Sequence, residues 1–136
     1  MIVKSLEQLN SLSCKVADQL IKNDCIFLIG EIGVGKTTFT RYLINYLQKK
    51  NGEKMTEVLS PTFNLLYEYD LKKLKIMHYD LYRIRDEEEL KHLGIFSGNE
   101  DTIKIIEWPQ LINIPSSDKL EMYIDCLLYT SDAADE

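Results

Sequence analysis

The sequence predicts an α/β protein of three layers, with helices packed about a mixed, partly antiparallel sheet. Three observations predict it. A short apolar run, CIFLIG (25–30), leads through a glycine-rich loop into a helical repeat at 37–50. An aromatic-rich strand pair at 63–70 and 75–82 is joined by a short lysine turn. Two further strand-like runs, 102–108 and 119–125, are separated from that pair by helix and turn signals.

Taken in chain order, Ser5 with Gln8 three residues on has the form of a capping box. Leu6, Leu9, Leu12, Val16, Leu20 and Ile21 then recur at helical spacing, predicting a first helix over about 5–22. CIFLIG, rich in Ile and Phe, reads as a buried strand. TTFTRYLINYLQKK (37–50) sets Phe39, Tyr42, Leu43, Tyr46 and Leu47 at helical spacing and ends before Asn51-Gly52, a helix-stop pair. Ser60-Pro61 breaks the chain, and the aromatic hairpin follows, with KKLK (72–75) as its solvated turn. Asp86 with Glu89 is a second capping signal for a short helix ended by Gly94. TIKIIEW (102–108) is the next strand, stopped by Pro109, and KLEMYID (119–125) alternates as a further one.

Between the first strand and the second helix, GEIGVGKTT (30–38) fits G-x-x-x-x-G-K-[ST] through Gly30, Gly35, Lys36 and Thr37. Strand, glycine loop and helix is the arrangement that phosphate chemistry requires. The glycines let backbone N–H groups close around phosphates, and the helix N-terminus adds partial positive charge. Lys36 is expected to reach the β and γ phosphates, and the Thr37 hydroxyl to sit on Mg²⁺. The fold expected is therefore of the P-loop NTPase type.

An acid must help to hold the metal, and something must position water or acceptor. Asp80 and Glu107 compete for that role as strand-end acids. Glu107 follows the more apolar strand, IKII, and better fits the tip of a buried one. Thr62 in SPTF could offer a hydroxyl from a switch-like loop, or simply cap the turn after Pro61. His78 lies two before Asp80 and hence on the same strand face, while His92, in a short helix, is expected to be exposed. The two histidines share no zinc-ligand spacing. Trp108 is placed either over the site beside Glu107 or in the core or its rim. No [NT]-K-x-D occurs, which favours ATP over GTP. The three arginines, Arg41, Arg83 and Arg85, make no visible lid; Arg83 or Arg85 could serve as a charge-stabilising finger or pair with the acids at 86–89.

At 136 residues the length suits one domain, assigned to 1–125. Residues 126–136, CLLYTSDAADE, read as a translated sequencing-adapter end rather than native protein, so the domain is expected to be truncated at its C-terminus. That tail holds Asp132, Asp135 and Glu136, and part of the formal charge of −6 belongs to it. The acidic balance argues against a free-standing nucleic-acid binder. No run of 18 apolar residues and no basic-then-apolar N-terminus occurs, so neither a membrane span nor a secretory signal is expected. Three cysteines without CxxC spacing suggest reduced thiols in the cytoplasm, with Cys14 and Cys25 as small core residues.

Taken together, GEIGVGKTTF (30–39), SPTFNLLYEY (60–69), HYDLYR (78–83), EELKHLGI (88–95) and IIEWP (105–109) resemble the TsaE family, formerly called YjeE, over about residues 5 to 125. The resemblance implies an ATPase that acts with TsaD and TsaB in forming threonylcarbamoyladenosine on tRNA, without itself transferring the threonylcarbamoyl group. It implies ATP and Mg²⁺ as ligands, weak turnover alone, and contact with tRNA through the complex. By matching motif, Gly33, Val34, Gly35, Lys36, Thr37 and Thr38 would bind the triphosphate. Glu107 would belong to the metal shell, and Asp80 and Thr62 would serve hydrolysis or switching, with the division between Asp80 and Glu107 open. Relatives carry a threonine in the first helix where Leu9 and Ser13 stand here, so no nucleotide contact is carried over to that helix. Two other functions use the same loop: phosphate transfer to a small metabolite, and a nucleotide-gated binding module in which hydrolysis is incidental.

Overall fold

The computed structural model describes residues 5–29, 35–59, 65–93, 95, 101–109 and 120–123, the last four by backbone alone. They form two compact units that interleave along the chain. One holds the described residues of Met1–Leu20, Gly30–Ser60 and Tyr123–Glu136, and the other those of Ile21–Ile29 and Pro61–Met122.

In the first unit, α1 (Leu6–Gln19) packs on α2 (Lys36–Lys50). Ser5 caps α1 as its spacing predicts, its hydroxyl accepting from Gln8 N at 3.1 Å. The buried stripe of α1 is Leu9, Ser13 and Ala17 rather than the leucines alone; Leu6 and Ile21 are exposed. Small residues here let α2 come close. Ser13 Oγ donates to Leu9 O at 2.9 Å and reaches Phe39 O at 3.4 Å. The helix also stops earlier than predicted. Leu20 is extended, and Asp24 Oδ2 captures the N–H of Ile21 at 2.8 Å, in place of a continuing helical bond.

Helix α2 buries Phe39, Leu43, Ile44 and Leu47, each contributing about 1.5–3 kcal/mol of apolar burial. Tyr42 and Tyr46, expected on that stripe, are half-buried. Tyr46 instead turns its hydroxyl to Asp18 Oδ1 at 2.8 Å, which Lys50 also meets at 2.9 Å. The helix ends where Asn51-Gly52 predicts: Asn51 N and its side-chain amide both donate to Leu47 O, and Gly52 takes φ 72°. Buried Gln48 ties the next segment back, exchanging two hydrogen bonds with Thr56.

The second unit holds the sheet strands β1 (Cys25–Ile29), β2 (Leu66–Asp70), β3 (Lys75–Asp80) and β4 (Thr102–Glu107), and all but the last residue of β5 (Leu120–Tyr123). Their order is β2-β3-β4-β1-β5; β3–β4 and β4–β1 are parallel and β2–β3 antiparallel, the mixed sheet expected. Strands β1, β3 and β4 carry apolar residues on both faces and are buried along nearly their whole length, β1 being apolar throughout. On one face Cys25, Phe27, Met77, Tyr79 and Ile106 pack with Leu90 of α3 (Glu87–His92) and with Ile95. Asp86 caps α3, accepting from Glu89 N at 2.9 Å, while Glu89 reaches back to Arg85 N. His92 is exposed, as expected. The other face carries Ile26, Leu28, Ile76, His78, Asp80, Ile103, Ile105 and Glu107, all buried.

Cys25 is buried as predicted, whereas Cys14 is half-buried beside Asn10. Among the described residues no helix is long and apolar enough to cross a membrane. Gly94, used above as a helix stop, and the tail at 126–136 lie outside the described residues.

Candidate functional site

The described part of the glycine-rich loop begins at Gly35, which takes φ 93° and ψ 13° as the N-cap of α2. A residue with a Cβ pays about 1–2 kcal/mol to sit there, which explains the glycine. The left-handed turn swings the chain into the helix, so that Lys36, Thr37 and Thr38 form its first turn. The N–H groups of such a turn lack helical acceptors and carry the positive end of the helix dipole. All three side chains are buried: Lys36 is 0%, Thr37 2% and Thr38 3% exposed. Thr40 Oγ1 is occupied by Lys36 O at 2.9 Å. Among the described residues, Thr38 Oγ1 is buried without a hydrogen-bond partner. An ammonium group withdrawn from water, a turn of outward N–H groups and a buried hydroxyl make a chemically consistent receptor for a polyphosphate. Gly30, Gly33, Val34 and Thr62 lie outside the described residues.

The two acids that compete in the sequence are neighbours. Strands β3 and β4 run parallel in a register that pairs Asp80 with Glu107, and β1 pairs Leu28 with the same Glu107. The carboxylates therefore stand side by side at the C-terminal ends of parallel strands, the edge where α/β sheets hold ligands. Strand β1 is also the one that leads into the glycine loop. Asp80 is 4% and Glu107 2% exposed. Asp80 Oδ1 accepts from Tyr82 N at 2.9 Å, closing the turn after β3. Leu81 N donates to Glu107 O at 3.0 Å, which locks the two strand ends together.

His78, on the same face as Asp80, adds a contact that no local pattern specifies. Its Nε2 lies 2.6 Å from Glu107 Oε2, with both side chains buried. An ionised Glu107 is an acceptor only, so Nε2 carries the proton of that bond. The histidine ring thereby fixes one oxygen of the carboxylate. The H-x-D spacing marked His78 as facing the acid side, but its partner is 29 residues away.

Trp108 takes the rim position. It has φ 59°, a left-handed turn that ends β4 one residue before the predicted 108. Its ring packs against the α3-side cluster and meets Tyr82 with centroids 4.8 Å apart, at the half-exposed margin of the sheet. Taken singly, the carboxylates of Asp80 and Glu107 and the hydroxyl of Thr37 are hard oxygen donors of the kind that suit magnesium.

A family model described as threonylcarbamoyl adenosine biosynthesis protein TsaE matches residues 3–131. The protein of Rickettsia conorii described as tRNA threonylcarbamoyladenosine biosynthesis protein TsaE is 38% identical over 110 residues, covering 81% of this chain and 61% of that relative. The protein of the same description from Rickettsia prowazekii is 42% identical over 96 residues, covering 71% and 64%. That of Aquifex aeolicus is 36% identical over 109 residues, covering 80% and 75%. The chain thus spans 61–64% of the length of its Rickettsia conorii and Rickettsia prowazekii relatives. A crystal structure of Bacillus subtilis YdiB superimposes with a TM-score of 0.61 at 23% identity, over 92% of this chain and 73% of that one, and shows the same fold. With a family match over nearly all its residues and relatives at this level of identity, the chain belongs to the TsaE family.

Proposed function

We propose that this chain is an ATP-binding and ATP-hydrolysing accessory factor in the formation of threonylcarbamoyladenosine on tRNA, acting on a complex of TsaD and TsaB in the cytoplasm. The observation that carries the reading is the first turn of α2, where left-handed Gly35 leads into buried Lys36, Thr37 and Thr38 in a chain of this family. Relatives from several genera bear the threonylcarbamoyladenosine description, which supports the biological setting.

Each residue has a definite task in this reading. The N–H groups of the first turn and the Lys36 ammonium bind the β and γ phosphates and hold them in line for attack. Gly30, Gly33 and Gly35 permit the close backbone approach, Val34 offers its backbone N–H, and Thr38 adds a hydroxyl donor. Mg²⁺ would be held by the Thr37 hydroxyl and by one of the two acids, Glu107 or Asp80. When bound, Mg²⁺ neutralises charge on the phosphate oxygens. Of the two acids, the one not engaged with the metal orients the attacking water, and Thr62 reports the state of the γ-phosphate to the rest of the chain. Turnover alone is slow, because a charge-stabilising group is commonly supplied by a partner. The protein touches tRNA through its partners rather than directly.

Multiple-turnover modification of a tRNA transcript by purified TsaD and TsaB, with and without this chain, tests the reading. The wild-type chain is expected to raise the yield per TsaD, whereas Lys36→Ala leaves it at the level without the chain. Equal yields from wild type and Lys36→Ala would sink the proposal.

A further inference from the structure

The function proposed above uses Glu107 but assigns nothing to His78, although His78 is among the most deeply buried polar groups in the sheet. A histidine buried on an apolar face is expensive unless its nitrogens are satisfied. Here one is: Nε2 lies 2.6 Å from Glu107 Oε2. The other, Nδ1, is buried without a partner among the described residues. A side chain kept only for packing would be replaced at no loss by leucine, which leaves no orphaned nitrogen. The single bond His78 makes is the feature that leucine could not supply.

That bond acts on a carboxylate whose other freedoms are already restricted. The Glu107 carbonyl is held by Leu81 N at 3.0 Å, and the residue is flanked in register by Asp80 on β3 and Leu28 on β1. What remains is rotation of the carboxylate about its own side-chain bonds. Anchoring Oε2 removes it. Among the described residues, Oε1 accepts no hydrogen bond and is left as the oxygen available to a ligand. Groups that orient a metal-shell carboxylate commonly change metal affinity by about 10–100-fold when removed.

We propose that His78 is a positioning residue, which through its Nε2 fixes the Glu107 carboxylate in the orientation needed to hold the divalent cation that accompanies ATP. The inference rests on the reading of Glu107 as a metal-shell residue. It goes beyond that reading in naming the group that sets the geometry.

The test is Mn²⁺ binding to the full chain with a non-hydrolysable ATP analogue, followed by the loss of the free-ion electron paramagnetic resonance signal. Wild type, His78→Leu, His78→Gln, Glu107→Gln and the double variant His78→Leu/Glu107→Gln are compared, with thermal melts as a folding control. The Gln side-chain amide can place an N–H near the position of Nε2, whereas Leu cannot. His78→Leu is expected to weaken Mn²⁺ by roughly 10-fold or more and His78→Gln to restore most of that loss. In the Glu107→Gln background, His78→Leu should change nothing further, because the two act as a unit. Analogue binding without Mn²⁺ should be equal in wild type, His78→Leu and His78→Gln. Equal Mn²⁺ affinity for wild type and His78→Leu, or the same loss for Leu and Gln, would overturn the positioning role. If His78→Leu does not fold, wild-type affinity in His78→Gln supports the role, and a loss equal to that of Glu107→Gln refutes it. If Glu107→Gln itself leaves Mn²⁺ affinity unchanged, the metal-shell reading fails and this inference falls with it. The two failures are thus told apart.

Discussion

Replacing Gly35 by alanine tests the left-handed N-cap of α2 without any ligand. Gly35 caps α2 at φ 93°, ψ 13°, where a Cβ crowds the neighbouring carbonyl at about 1–2 kcal/mol. Against this, alanine restricts the unfolded chain more than glycine does, an offset of roughly 0.4–1 kcal/mol. The net expectation for Gly35→Ala is a destabilisation of about 1 kcal/mol. In urea, with a slope of about 2 kcal/mol/M, this lowers the midpoint by roughly 0.5 M. The melting temperature falls by about 3–5 °C for a chain of this length. Gly35→Asn is the discriminating control. Asparagine is larger than alanine, yet it tolerates the left-handed region and is a good N-cap, so it should lose clearly less. Urea melts of the three proteins without nucleotide provide the comparison. A neutral Gly35→Ala, or an Asn variant as unstable as the Ala variant, would refute the left-handed cap.

Two other substitutions probe the fold that carries the site. Ser13→Leu should cost about 1–3 kcal/mol in the same melts, because the added volume enters the closest approach of α1 and α2; Ser13→Ala should cost no more than about 1 kcal/mol, since the carbonyls it meets have helical partners of their own. Tyr79, fully buried in the sheet, has the pKa of its hydroxyl pushed up to about 12 from the ordinary tyrosine value, chiefly by burial and then by the negative charges of Glu68 and Cys25. The folded state thus holds this proton more tightly than the unfolded one. The stabilisation is complete below about pH 10 and is lost as pH rises toward about 12, up to roughly 2–3 kcal/mol. Tyr79→Phe should flatten the alkaline limb of stability against pH and remove the last tyrosinate to appear in an ultraviolet titration; an unchanged limb would refute this account.

Legibility in the sequence followed the range of the interactions. Ser5 with Gln8, Asp86 with Glu89, and Asn51-Gly52 are caps whose partners lie within one helical turn, and all three were readable. The strand, loop and helix around Gly35 were readable for the same reason. Ser13 was not, because its burial depends on how close α2 comes, and hydrophobic periodicity gives no weight to a serine. The extra turn predicted for α1 failed on a local competitor that periodicity ignores, the Asp24 carboxylate. Asp80 and Glu107 looked like rivals because each strand end was judged alone. Parallel pairing of β3 with β4 makes them neighbours, and register is a property of two strands, not one. The His78–Glu107 bond is two steps further removed, since it needs that register and the facing of both strands. The sequence offers Trp108 the site, the core or its rim, and a ring packed on Tyr82 and on the α3-side cluster is a contact of chain segments that no single strand reveals.

The central claim is that this chain hydrolyses ATP at the loop ending in Gly35-Lys36-Thr37, in the service of TsaD and TsaB. Its most direct test is steady-state hydrolysis of Mg-ATP by the chain alone and with both purified partners. The account predicts slow turnover alone and clear stimulation by the partners, with both rates abolished by Lys36→Ala. Hydrolysis that is indifferent to Lys36, or phosphate appearing on a small metabolite instead of in solution, would contradict it.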